Sequence, residues 1–249
     1  MRSSIVLLAL FALAGPAWAD ESVDCRAAQE QAGTSVPLPR AAEALAQKRL
    51  NILVVGAGSS ALPGADGARK AYPARLQAAL VAILPGTAVT VATDVAPKRT
   101  AEQMVKVLPP ALANAKAQLV IWQTGTVDAM QGVDADRFSE ALERGIGATR
   151  AAGADVLLVN AQYSPRTESM IALGSYADMM RRVAVQQEVP LFDRFNVMRT
   201  WADQGIFNFY AATKKLDTAE HVHDCIGRLL ADFVMDSVKL GGPHAEGGR

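Results

Sequence analysis

From Leu50 onward, short apolar runs alternate with longer stretches in which apolar residues return every three or four positions. The runs at 52–55, 89–92, 119–123 and 156–160, with a weaker one at 190–192, predict strands. The patterns over 67–84, 100–115, 135–152, 175–187 and 219–238 predict helices. Strand and helix in strict alternation, with Gly or Pro at most junctions, require right-handed crossovers. The expected architecture is therefore α/β, one parallel sheet covered by helices on both faces in three α/β/α layers. No internal repeat is visible.

The chain ends fall outside this alternation. Arg2 supplies a positive start, residues 5–14 an apolar run too short to span a bilayer, and Ala17-Trp18-Ala19 the small-x-small pattern of a cleavage site. Residues 1–19 thus read as a signal peptide and the protein as exported, periplasmic or secreted. Residues 20–49 read as an N-terminal arm or short helix, its regularity broken by Pro37 and Pro39, 50–240 as one domain and 241–249 as a Gly-rich disordered tail. Lys and Arg number 25 and Asp and Glu 25, so without Arg2 the mature charge is 24 − 25 = −1. That balance offers no electrostatic case for nucleic acid or an anionic membrane, and no second membrane segment follows. Cys25 and Cys225 are an even pair, which an oxidising compartment favours as a disulfide tying the arm to the last helix; two separate thiols are the alternative.

Candidate chemistry concentrates at two places. Residues 51–64 run from an apolar strand into Gly56-Ala57-Gly58-Ser59-Ser60 and then Gly64, which puts hydroxyls at the carboxyl end of a strand, where open α/β sheets hold their sites. Of three histidines, His244 lies in the tail, leaving His221 and His223 at the entry to the last helix as candidate general bases. Asp217 precedes His221 and is the candidate for orienting it, with Glu220 a weaker choice. Trp122, Trp201, Met179, Met180 and Met198 read as packing, and Arg181-Arg182 as a solvated helix face.

The chain resembles the SGNH (GDSL) hydrolase family, in an exported, esterase-like bacterial branch. Gly58-Ser59-Ser60-Ala61-Leu62-Pro63-Gly64 is similar to the first block, Val120-Ile-Trp-Gln123-Thr-Gly125-Thr-Val127-Asp128 to the strand leading into Gly-x-Asn-Asp, and Thr218-Ala-Glu-His221 through Ala231 to the last block. Segments 152–163 and Phe192-Asp-Arg-Phe195 also match that branch. The resemblance implies a flavodoxin-like five-stranded parallel sheet, a Ser60 nucleophile, a His221 base and no cofactor or metal. It departs at Val127, where the family's oxyanion asparagine is expected, at Lys98-Arg99, where a glycine is expected, and at Thr218, where the acid is expected three residues before the histidine.

The implied activity is acyl-ester hydrolysis or transfer through Ser60, His221 and Asp217, on a small-molecule or carbohydrate ester. Ser60 N–H, Gly125, Gln123, Gln162, Lys98 and Arg99 are candidates for the oxyanion or substrate. Losing one oxyanion donor costs on the order of a hundred- to a thousand-fold in turnover, so the Val127 departure predicts a slow esterase. A catalytically weakened domain that binds a glycan or an acylated partner is the alternative. Gly56-Ala-Gly58-Ser-Ser-Ala61, with Asp94 ending the second strand, also satisfies a dinucleotide-binding pattern, but Pro63-Gly64 interrupts the helix that reading needs.

Overall fold

The computed structural model describes residues 25–210 and 216–242. The signal-peptide reading of 1–19 and the tail from 243 lie outside the described residues. Five strands form one all-parallel sheet: β1 (Arg49–Gly56), β2 (Ala88–Val95), β3 (Leu119–Gln123), β4 (Asp155–Val159) and β5 (Leu191–Phe192), in the order β2-β1-β3-β4-β5. This is the flavodoxin-like doubly wound order, with its switch point between β1 and β3, and not the order of a dinucleotide-binding fold.

Ten helices are described along the chain: α1 (Pro39–Ala46), α2 (Gly67–Lys70), α3 (Tyr72–Ile83), α4 (Ala101–Ala115), α5 (Thr126–Met130), α6 (Ala135–Ala151), α7 (Pro165–Glu168), α8 (Leu173–Gln186), α9 (Arg194–Asp203) and α10 (Leu216–Leu240). Successive side chains of a strand face opposite sides of the sheet. Ile52, Val54 and Ile121 accordingly belong to one core, with Leu76 of α3 and Leu229 of α10. Leu53, Val55 and Trp122 belong to the other, with Met104 of α4 and Leu142 of α6. Burial on both faces is why β1, β3 and β4 read as continuous apolar runs.

Several boundaries differ from the sequence reading. The pattern over 67–84 is two helices, because Ala71 is extended (φ −69°, ψ 153°) and Pro73 opens α3, where a missing N–H costs nothing. The arm contains α1, with Pro39 in its first turn rather than as a breaker. Helix α9 has no counterpart among the predicted helices; Asp193 caps it by accepting from Asn196 N–H at 3.0 Å. Arg181 is not a solvated residue, since its guanidinium grips the buried Asp193 carboxylate at 2.6 Å. Cys25 and Cys225 form a disulfide that joins the arm to α10 across 200 residues of chain.

Candidate active site

The site begins where β1 stops. Val55 pairs with Trp122 of β3, so Gly56 and Gln123, one residue further, close adjacent strands at the same level. The chain then turns through a single 3-10 turn, Gly58–Ser60, closed by Ser60 N–H donating to the Ala57 carbonyl at 2.9 Å. Both serines donate to one acceptor: Gln123 Oε1 lies 3.0 Å from Ser59 Oγ and 2.8 Å from Ser60 Oγ. A hydroxyl has one proton, so Tyr72 OH, 3.1 Å away, donates to Ser60 Oγ. Gly56 permits this packing: a Cβ there would stand 2.3 Å from Ser60 Oγ and 3.4 Å from Gln123 Oε1.

The two serines differ in access. Ser60 is 2% exposed, whereas Ser59 is half-buried and faces a cleft of about 340 Å³ that it lines together with Thr126, Gln162, Ser164, Thr167 and His223. A larger cavity of about 920 Å³ lies between the arm and β5, lined by Val36, Leu38 and Leu191 among others, and holds none of these groups. Chemistry, not size, identifies the smaller cleft as the candidate site.

His223 is set by α10 packing close on α3. Gly227, one turn beyond it, makes the approach possible, since a Cβ there would stand 2.5 Å from Arg75 Cβ and 2.9 Å from Leu76 N. Tyr72 N–H donates to His223 Nδ1 at 2.9 Å. A backbone N–H can only donate, so the neutral ring carries its proton on Nε2. Burial, with the Arg194 charge added, pushes the imidazole pKa down to about 3. At neutral pH His223 is therefore a neutral N–H donor.

Arg194 lies beneath the cleft and is fully buried. Its guanidinium donates to the Ser59 carbonyl at 2.9 Å and to Gln162 Oε1 at 3.1 Å, and stands 5.6 Å from the Tyr72 ring centre. Burial pushes its pKa down to about 10, which leaves it charged at neutral pH. Burial likewise raises the Tyr72 phenol, against the smaller opposing effects of Ser60 and Arg194.

The expected triad is not brought together. Ser60 bonds Gln123 and Tyr72. His221 packs edge-on against Phe207 at 5.1 Å, its Nε2 is buried without a partner among the described residues, and it lies within 4.8 Å of the disulfide sulfurs. Residues two apart on a helix point roughly 200° apart, so a helix that aims His223 at Tyr72 must aim His221 away. Asp217 is exposed in the first turn of α10, and no hydrogen bond joins it to His221. The Cys25, Cys225 and His221 atoms are close enough for a metal, but both sulfurs are committed to the disulfide and offer no thiolate.

The candidate oxyanion groups divide similarly. Gln123 and Gln162 stand at the serines and at the cleft respectively, and Gln123 Nε2 is a buried donor without a partner among the described residues. Gly125 (φ 94°) directs its N–H to the Asp128 carboxylate, whose pKa burial raises. Arg99 pairs with Asp94 at 2.6 Å, which commits both that cation and the acid of the dinucleotide reading. Lys98 is exposed and its carbonyl accepts from Gln131, just past α5, and Val127 packs against the core. Tyr72 and Arg194 were not identified as site residues by the sequence reading; Arg194 stood within a matched segment, and Tyr72 carried no signal of its own.

With this geometry in place, comparison defines the class. A model of the Non-GDSL lipase-like family matches residues 24–240, and the chain belongs to that family. No curated protein matches the sequence. Among solved structures, TesA is 24% identical over 76% of this chain and 97% of its own, with a TM-score of 0.55. The psychrotrophic esterase EstA from Pseudoalteromonas sp. is 16% identical over 76% and 98%, with a TM-score of 0.59. A two-domain esterase active on acetylated mannans is 16% identical over 86% of this chain and 58% of its own, with a TM-score of 0.67. These likenesses establish the fold.

Proposed function

We propose that the chain is an exported serine esterase of SGNH/GDSL type that hydrolyses or transfers an acyl ester slowly, with Ser59 rather than Ser60 as the reacting hydroxyl. The observation that carries this reading is that Ser59, at the carboxyl end of β1, shares one cleft with His223 and Gln162, while Ser60 is enclosed by Gln123 and Tyr72. Ser59 Oγ attacks the ester carbonyl, and the neutral Nε2–H of His223 donates to the oxygen on which charge develops. The leaving alkoxide takes up a proton, and water then attacks the acyl-Ser59 ester, releasing acid and restoring the hydroxyl.

No imidazole or carboxylate among the described residues accepts the Ser59 proton, so that proton passes to solvent base. General-base catalysis contributes typically 10²–10⁴-fold, and forgoing it accounts for slow turnover. The relatives described as esterases of acetylated mannans and of acetyl-xylooligosaccharides favour small or carbohydrate esters as substrates. Hydrolysis of an aryl acetate by wild type, Ser59→Ala and Ser60→Ala tests the reading: activity is lost in the first variant and retained in part in the second. Full activity in Ser59→Ala overturns it.

A second reading, a weakened domain that binds a glycan or an acylated partner without turnover, is favoured by one specific observation. Tyr72 N–H occupies His223 Nδ1, which denies the site an imidazole base. Binding without any covalent labelling at Ser59 distinguishes it.

A further inference from the structure

A buried guanidinium is ordinarily matched by a carboxylate, because leaving a charge unpaired in a low-dielectric interior is costly. Arg194 has no such partner: among the described residues its polar contacts are a backbone carbonyl and an amide oxygen, and its Nε has none. The acid beside it in sequence, Asp193, is committed to Arg181, Asn160 and Asn196. Both acceptors of the guanidinium belong to residues that line the cleft, Ser59 and Gln162. With its oxygen held by Arg194, Gln162 keeps an NH₂ group that has no partner among the described residues. The remaining polar lining is hydroxyl (Thr126, Ser164, Thr167) or the His223 ring, and no described lining residue is acidic.

We infer that the cleft selects ligands carrying a carboxylate, so that its esters bear an anionic group beside the ester bond, held by Gln162 NH₂ and the lining hydroxyls above the Arg194 charge. The inference rests on this cleft being the substrate site, as proposed above. Attraction across a few ångströms of buried protein is far less screened than at a surface, so the unpaired cation is matched by the ligand rather than by the fold. Arg194 acts as a positioning residue, through Ser59 and Gln162.

The test measures binding of D-glucuronate and of D-glucose to the folded protein by titration calorimetry, then turnover of an acetylated glucuronate against the matching acetylated glucose. The expected result is at least tenfold tighter binding of glucuronate, a KM preference of the same sense with kcat nearly equal, loss of the discrimination in Arg194→Met and its retention in Arg194→Lys. Equal binding of the two sugars by wild type overturns the inference, even if Arg194→Met does not fold, and so does undiminished discrimination in a folded Arg194→Met. Tighter glucuronate binding with no turnover of either ester upholds the inference and removes the esterase reading. Turnover of both esters without discrimination does the reverse.

Discussion

Tyr72 gives its backbone N–H to His223 Nδ1 at 2.9 Å while its phenol reaches Ser60 Oγ at 3.1 Å, so one residue at the head of α3 links the serine turn to the terminal helix. This link fixes the imidazole as a donor toward the cleft and encloses Ser60, which the proposed function treats as a supporting group. The proposed chemistry follows from that division of roles.

Its pH dependence differs from that of a serine–histidine pair. With His223 neutral above a pKa of about 3 and the Ser59 proton leaving to solvent, kcat/KM for an aryl acetate is expected to climb with pH, without an inflection near 6.5. A plateau above a pKa between 6 and 7 would show an imidazole base at work.

Stability is linked to the same histidine with a definite sign. The folded pKa lies below the unfolded value of about 6.5, so the unfolded chain binds more protons between the two values and stability rises with pH there. The contribution is intact above about pH 6.5 and is lost as pH falls toward 3. His223→Asn, whose side-chain oxygen can still accept from Tyr72 N–H, should flatten the acid limb of a denaturant-midpoint profile. An unchanged slope would mean that His223 titrates alike in both states.

Ser60→Ala should act mainly on stability. It removes the acceptor of a fully buried Tyr72 hydroxyl, and an orphaned buried donor costs roughly 1–3 kcal/mol. Gly56→Ala places a methyl against the Ser60 hydroxyl and should cost a similar ~1–3 kcal/mol by overpacking, with a larger loss of activity because the Ser59–Gln123 contact shifts too. Thermal unfolding of both variants checks this, and wild-type midpoints would contradict it.

His221→Ala should leave ester hydrolysis within about twofold, because its ring contacts Phe207 and neighbours the disulfide rather than a serine. Reduction of the Cys25–Cys225 bridge, which closes a loop of 200 residues, should cost about 2–5 kcal/mol by freeing the unfolded chain. Unfolding with and without a dithiol reads that loss; coincident curves would exclude a stabilising bridge.

Much of the scaffold was legible because the sheet is buried on both faces. The apolar runs at 119–123 and 52–55, set between helical patterns, read as strands and are strands, and the helical pattern from 100 to 115 matches α4. Short elements were missed where periodicity had too little length to register, as in α5, or where polar residues such as Asp193 and Arg194 begin a helix and are themselves buried, as in α9. At the candidate site, the region around Ser59–Ser60 could be read from glycine placement, but the proposed choice between the serines rests on a tertiary fact, the Tyr72 hydroxyl arriving from α3. The choice between His221 and His223 depended on the rotation of α10, which alignment by block cannot supply. Arg194 was invisible as a site residue, because burial of a cation without its acid is a property of packing and not of composition.

The most direct measurement is the site of covalent modification by a fluorophosphonate, read from fragment ions of the peptide that contains Ser59 and Ser60. The expected adduct is on Ser59, persisting in His221→Ala and vanishing in Ser59→Ala. An adduct on Ser60, or labelling that depends on His221, would contradict the proposed roles of these residues.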